Sequence, residues 1–140
     1  MIGSRIRQNF IVMKRRYYAE SVWPDVIALY VCIRKAMDLA NADKDIVRIV
    51  LYNYTKDNIL VVNELFGERN VKKMFSAPLL LEESSKPFVC ATTRTYKKLS
   101  KFVGKLNDIV ICCHMDSEEV FKIDQFKTAK YVIALSWSTF

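Results

Sequence analysis

The turn formed by Thr92, Thr93, Arg94 and Thr95 combines residue types that suit the binding of an anion. It follows an apolar segment, residues 88–91, and leads into a basic segment with helical spacing. A threonine hydroxyl can cap that helix, whose first backbone N–H groups are free and carry a partial positive charge. The planar guanidinium of Arg94 suits phosphate or carboxylate. The turn therefore predicts an anion site, although a plain helix cap with a surface arginine would use the same residues.

The turn does not identify the anion. It contains no glycine, so it matches neither the phosphate-loop pattern G-x-x-x-x-G-K-[ST] nor the dinucleotide fingerprint G-x-G-x-x-G. Cys90 precedes Arg94, but it lies inside the apolar segment, and the spacing is too short for a loop that wraps a phosphate. Cys90 is therefore predicted to be a structural thiol rather than a nucleophile.

Polar residues also follow three other segments that are predicted to be strands. The carboxyl ends of parallel strands lie at one edge of a sheet, where α/β proteins bind ligands. We therefore expect Lys56, His114 and Trp137, one from each of these strand ends, to lie near the threonine turn. The polar residues at the amino ends, such as Asp108 and Lys130, are expected to be ordinary solvated side chains.

His114 is the only histidine, and Asp116 follows it closely. A histidine beside a carboxylate can act as a general base, which makes these two residues candidates for catalysis. In the alternative interpretation, Asp116 or Ser117 caps the next helix and His114 is a loop residue. No second metal-ligand motif accompanies the histidine, so no metal site is predicted. Neither a reaction nor a cofactor can be assigned from these residues.

Strand-like and helix-like segments alternate along the chain. β-branched apolar runs indicate strands, and apolar residues three or four apart indicate helices. The pattern predicts strands at residues 45–52, 88–91, 109–113 and 131–137, a further short strand at 71–75, and helices at 24–41, 58–66, 95–105 and 117–126. Residues 76–83 fit a short helix or a loop equally well. The alternation predicts an α/β fold, a three-layer sandwich with a mostly parallel, Rossmann-like sheet of about five strands and helices on both faces.

The predicted helix at residues 24–41 is apolar around most of its circumference. Pro24 and Asp25 suit its first turn, and only a narrow polar stripe that includes Arg34 and Asp38 interrupts the apolar surface. Such a helix is buried on more than one side. It is therefore either a central layer of the domain or the interface of a homodimer.

The chain is basic, with a net charge of +7 from 22 Lys and Arg against 15 Asp and Glu. This balance favours anionic partners, including nucleic acid. The residues that could contact a nucleic-acid backbone form an N-terminal cluster and a helical stripe: Lys14, Arg15, Arg16, Lys97, Lys98, Lys101 and Lys105. We expect one α/β domain over residues 1–140, in which residues 1–20 are either partly a strand or a basic N-terminal arm.

The four cysteines and the hydropathy pattern bear on the location of the protein. All four cysteines lie in apolar segments without C-x-x-C spacing, which favours free, buried thiols. No run of 18 uncharged apolar residues occurs, and the first residues lack the apolar core of a secretory signal. We therefore expect a cytoplasmic protein with no membrane-spanning segment.

These observations favour a small α/β domain that binds a phosphate-bearing, nucleotide-type ligand at the carboxyl ends of its strands. The alternatives are a nucleic-acid-binding protein that uses its basic face and N-terminal arm, and a homo-oligomeric interaction module built on the helix at residues 24–41. Whether the protein is an enzyme is left open.

Overall fold

The computed structural model describes residues 11–13, 15–21, 26–53, 60–92, 95, 107–113 and 129–137. These residues contain six strands and three helices. In chain order they are β1 (Ile11–Met13), β2 (Arg16–Ser21), α1 (Val26–Ala42), β3 (Arg48–Asn53), α2 (Leu60–Phe66), α3 (Glu68–Ser76), β4 (Phe88–Thr92), β5 (Asp108–Cys113) and β6 (Ala129–Trp137).

The strands form one sheet in the order β1-β2-β6-β5-β3-β4. The short β1 runs antiparallel to β2, and every other neighbouring pair is parallel. Five adjacent parallel strands, connected in part by helices, make an α/β architecture of the Rossmann-like, three-layer type. The predicted fold class is therefore confirmed.

The sheet is buried on both faces because its strands are apolar at successive positions. On one face, which we call the helix face, Ile49, Leu51, Ile111 and Ile133 pack in a single cluster with residues of all three helices. The intervening strand positions form a second buried cluster on the opposite face: Val50, Tyr52, Val89, Ala91, Val110, Cys112, Ala129, Val132 and Ala134. The sheet is thus the middle layer of the molecule.

Helix α1 lies on the sheet through small residues. Ala28, Cys32, Ala36 and Ala40 recur at intervals of four and are all buried, so the helix backbone can approach the strands closely. The apolar circumference that suggested a dimer interface is largely buried within the same chain. The homodimer stays a prediction, but α1 no longer supplies an excess of apolar surface to support it.

The segment at residues 71–75, predicted to be a strand, is instead part of α3. Val71 and Met74 are buried three positions apart, whereas Lys72 and Lys73 between them are exposed, which is the period of a helix rather than of a strand. Gly67 separates α2 from α3 with a φ of +87°, a conformation that favours glycine.

Two other ambiguous segments have defined structures. Residues 77–87 form a loop. Leu79 in this loop exchanges two backbone hydrogen bonds, of 2.8 and 2.9 Å, with Phe88 at the start of β4. Near the N-terminus, β2 lies inside the sheet between β1 and β6, so residues 16–21 are not part of a free arm. In the portion of the chain that the structure describes, no helix is long and apolar enough to cross a membrane.

The amino ends of the strands carry one buried and one partly buried ion pair, which corrects the expectation of solvated side chains there. Asp108 is fully buried and accepts two hydrogen bonds from Arg48, of 2.9 Å from Nε and 3.2 Å from an Nη atom. The Lys130 ammonium lies 2.6 Å from Asp43, which also accepts a 2.9 Å hydrogen bond from the Tyr131 hydroxyl. These contacts join α1, β3, β5 and β6 at the edge opposite the predicted site.

Candidate ligand site at the carboxyl edge of the sheet

The order of the strands distinguishes the carboxyl ends of β3 and β5 from the other strand ends. The chain passes from β3 outward to β4 on one side, and from β5 to β6 on the other side. Connections that leave two adjacent parallel strands in opposite directions define a topological switch point, and open α/β sheets bind ligands outside the strand ends at such a point. The residues that end β3 and β5 are therefore the first place to look for a site.

Asn53 ends β3 at this switch point and has an unsatisfied buried atom. Its side chain is fully buried, and its Nδ2 donates a 3.2 Å hydrogen bond to the carbonyl of Leu51. Its Oδ1 has no hydrogen-bond partner among the residues that the structure describes. A buried acceptor without a partner costs about 1–3 kcal/mol. Among the described residues, one other side-chain atom is in this state, Oδ1 of Asn107, and it lies at the opposite edge of the sheet.

The neighbours of Asn53 on the sheet are known from the strand register. Thr92 of β4 pairs directly with Asn53, and the pairing of Tyr52 with Cys112 places Cys113 beside it on β5. Side chains alternate between faces along a strand, so Asn53, Thr92 and Cys113 all lie on the helix face. The carboxyl edge therefore presents an amide, a hydroxyl and a thiol in one row across three adjacent strands.

Thr95 closes the turn that follows β4. Its Oγ1 accepts a 2.8 Å hydrogen bond from the backbone N–H of Thr92 and lies 3.4 Å from the Thr92 carbonyl and 3.5 Å from the Thr92 hydroxyl. These contacts run back to the strand, whereas Thr93, the other threonine predicted as a helix cap, lies outside the described residues. This arrangement ties Thr95 to the last residue of β4 and satisfies the backbone N–H of Thr92.

The thiols near the site are structural. Cys32, Cys90, Cys112 and Cys113 are all free and buried, as predicted. Burial raises the pKa of Cys32 and of Cys90 to about 12, and burial raises the pKa of Cys113 well above its ordinary value. A thiol of this kind is protonated at neutral pH and is a poor nucleophile. No group of three metal-ligating side chains occurs among the residues that the structure describes.

Of the residues that the sequence predicted to bind the ligand, the structure describes three. Thr92 and Thr95 lie together at the carboxyl edge. Trp137 ends β6, two strands from β3, where its backbone pairs with Ser21. The remaining candidates of this site lie outside the described residues: Lys56, Thr93, Arg94, His114 and Asp116.

Of the residues predicted to contact nucleic acid, two are described. Arg15 is exposed, whereas Arg16 is half-buried and donates a 3.1 Å hydrogen bond to the carbonyl of Lys130. Arg16 therefore helps to hold β2 against β6 and is less available to a partner. The other five lie outside the described residues: Lys14, Lys97, Lys98, Lys101 and Lys105.

Asn53 is the residue that sequence reasoning missed as a member of the site. It was recognised only as one of several polar residues after a strand. A polar residue that ends a run of apolar strand residues is a weak signal, because most such residues are solvated. The unsatisfied Oδ1 and the position at the switch point depend on the order of the strands, which the sequence does not reveal.

Comparison with known proteins provides no further guide to the site. No protein-family model matches the chain, and no curated protein and no solved structure is significantly similar to it.

Proposed function

We propose that this protein binds a small phosphate-bearing ligand of the nucleotide type at the carboxyl edge of its sheet. The observation that carries the proposal is the buried, unsatisfied Oδ1 of Asn53 at the switch point between β3 and β5. The amide oxygen is an acceptor and therefore needs an N–H or O–H donor. Phosphate at neutral pH offers mainly acceptors, whereas the ribose hydroxyls and the base amino group of a nucleotide are donors. Asn53 would thus bind the nucleoside part of the ligand.

The threonine turn would bind the phosphate. The hydrogen bonds between Thr92 and Thr95 hold the backbone on either side of Arg94, whose guanidinium can form paired hydrogen bonds with phosphate oxygens. The charge balance supports this assignment, because residues 69–105 contain nine Lys and Arg against two Glu. Lys56, His114 and Trp137 follow the other strand ends and would complete the site.

The proposal concerns binding and assigns no reaction. The described residues at the site are an amide, two hydroxyls and a protonated thiol, which position a ligand but do not by themselves activate one. His114 and Asp116 remain the candidates for general acid–base chemistry. A catalytic role for them would require that His114 reach the bound ligand.

The direct test is a thermal-shift screen, followed by calorimetry, with AMP, ADP, ATP, GMP, ribose 5-phosphate and inorganic phosphate as probes. We expect a nucleotide to bind more tightly than inorganic phosphate. Arg94→Ala should weaken that binding by about 10-fold or more, since a hydrogen bond to a charged group contributes about 1.5–3 kcal/mol. Arg69→Ala, which removes an exposed arginine of α3, is the matched control and should bind as wild type does.

Two outcomes would contradict the proposal. One is that none of the six probes stabilises or binds the wild-type protein. The other is that Arg94→Ala and Arg69→Ala bind the best probe equally well.

Binding of nucleic acid remains the alternative. It would use the basic stripe at Lys97, Lys101 and Lys105 together with Arg15, and its affinity should fall steeply as salt increases. A fluorescently labelled 20-nucleotide single strand and a duplex of the same length, titrated at 50 and 200 mM salt, distinguish this function from nucleotide binding. No detectable binding at 50 mM salt would exclude it.

A further inference from the structure

A groove lies on the outer side of the helix layer, between α1, the end of α2 and the loop that follows α3. Its volume is about 300 Å³, which is at the lower end of the range for small-molecule sites. Its floor is apolar and its rim is acidic. The lining residues are Tyr30, Ile33, Met37, Leu65, Phe66, Leu81, Glu82 and Glu83.

We propose that this groove binds a small organic cation, an amine with an apolar or aromatic body. The assignment is independent of the nucleotide site, because it involves different residues and a ligand of the opposite charge.

The acidic rim is held in place by a hydrogen-bonded turn. The N–H of Ser84 donates a 3.1 Å hydrogen bond to the carbonyl of Leu81, so Glu82 and Glu83 occupy the two central positions of a β-turn. The Ser84 side chain is buried, and its hydroxyl donates a 2.6 Å hydrogen bond to the carbonyl of Lys86. Both glutamates are therefore presented by a fixed backbone, although their side chains are exposed.

The apolar floor is also fixed. The ring of Phe66 packs against that of Phe88 at a centroid distance of 5.9 Å, which joins the end of α2 to β4. The two backbone hydrogen bonds between Leu79 and Phe88 join the loop to the same strand. A groove whose walls are already in place loses little conformational entropy when a ligand binds.

The negative charge of the rim favours a cationic ligand. The protein as a whole carries a net charge of +7, so two adjacent glutamates beside an apolar groove are a local reversal of sign. Arg34 lies 3.5 Å from Glu83, but both side chains are largely exposed, at 46% and 74%. An exposed pair of this kind is weak, so a ligand ammonium can compete for the carboxylate.

The size and lining of the groove select a small molecule with an apolar body. Tyr30 is 48% exposed and forms an aromatic wall, which can contact either an apolar ring or a cation. Met37 on the same helix provides an adaptable thioether surface. A stable protein interface buries about 800 Å² on each partner, far more than this groove provides. A single amine with a ring or short alkyl chain fits better than a folded partner.

The test compares two probes with the same apolar body and opposite charge, phenethylamine and 3-phenylpropionate. The protein is labelled with 13C at its methionine methyl groups, and Met37→Leu assigns the resonance of Met37. We expect phenethylamine to shift the Met37 resonance saturably, whereas the resonance of Met74, a buried residue of α3 that does not line the groove, stays in place. 3-Phenylpropionate should cause no saturable shift.

Charge variants test whether the acidic rim contributes to the affinity for phenethylamine in addition to the apolar contacts. The double variant Glu82→Gln/Glu83→Gln should weaken phenethylamine binding by about 3- to 20-fold, given the strength of exposed ion pairs. Glu68→Gln, an exposed glutamate of α3 outside the groove, is the matched control and should bind as wild type does. The inference is overturned if Met37 shows no saturable shift, if both probes bind equally, or if the double variant binds as tightly as Glu68→Gln.

Discussion

Four polar residues are buried among the described residues, and they differ in whether their side chains have partners. Asp108, Ser84 and Thr92 each form hydrogen bonds, whereas Oδ1 of Asn53 forms none with any described residue. Buried polar groups are nearly always satisfied, so each exception calls for an explanation. The three satisfied residues stabilise the structure. Asn53, at the switch point, is better explained by a ligand.

The contact between Arg48 and Asp108 should be the most important ion pair for stability among those described. Arg48→Met would leave the carboxylate of Asp108 buried without its arginine, and removing one partner of a buried pair typically costs 3–5 kcal/mol. We expect the free energy of unfolding, measured by urea denaturation, to fall by about 3 kcal/mol.

The matched control for this prediction is Arg34→Met, which removes the arginine of an exposed pair. Arg34 lies 3.5 Å from Glu83 at the surface, so its loss should change the free energy of unfolding by less than about 1 kcal/mol. Equal effects of the two substitutions would show that the burial of Asp108 does not determine the strength of its ion pair.

At the scale of elements, the strands that the sequence predicted best are those with continuous β-branched residues. β3, β4, β5 and β6 all lie where their apolar runs indicated. β2 was missed because its sequence, RYYAES, is polar and aromatic, and its strand conformation depends on pairing with β1 and β6. α3 was mistaken for a strand because a nine-residue helix contains too few turns to show its period clearly in the sequence.

The connection between α1 and β3 is anchored to β6 by one charged cluster. The Lys130 ammonium, hydrogen-bonded to Asp43, holds the pKa of Asp43 below its ordinary value, and Asp43 in turn raises the pKa of Lys130. Since the pKa of Asp43 is lower in the folded than in the unfolded state, its contribution to stability is present above about pH 3.9. That contribution is lost as the pH falls through the lower, folded-state pKa.

Asp43→Asn should therefore destabilise the protein at neutral pH but not in acid. We expect the difference in free energy of unfolding between wild type and Asp43→Asn to be constant from about pH 5 to 8 and to shrink below about pH 4. Urea titrations across this range measure it. Asp38→Asn, which alters an exposed residue of α1, should show no such dependence. A difference that grows in acid would contradict the assigned sign.

At the scale of the whole molecule, the alternation of segments was sufficient to predict an α/β fold with a mostly parallel sheet. The order of the strands could not be predicted, because it depends on which strands pair over long distances in sequence. The location of the candidate site could not be predicted for the same reason. The polar strand ends are visible in the sequence, but the switch point between β3 and β5 follows only from the strand order, in which β3 lies between β4 and β5.

The burial of all four thiols makes cysteine reactivity a measure of global unfolding. Because burial raises the pKa of Cys32 and of Cys90 to about 12, both thiols are protonated at pH 8 in the folded protein. We expect a disulfide reagent such as DTNB to label the native protein slowly, and all four cysteines rapidly in urea. Fast labelling of one or more cysteines in native buffer would show that the core is open.

The central claim, that Asn53 binds a ligand at the carboxyl edge, is tested most directly by Asn53→Leu with two readouts. Leucine has a similar size and no unsatisfied acceptor, so the free protein should keep its stability or gain about 1 kcal/mol in its free energy of unfolding. The affinity for AMP, measured by calorimetry, should fall by about 10-fold or more. A substitution that raises the free energy of unfolding and weakens ligand binding is the result expected when the native residue serves function rather than stability. Wild-type affinity for AMP in Asn53→Leu would contradict the claim.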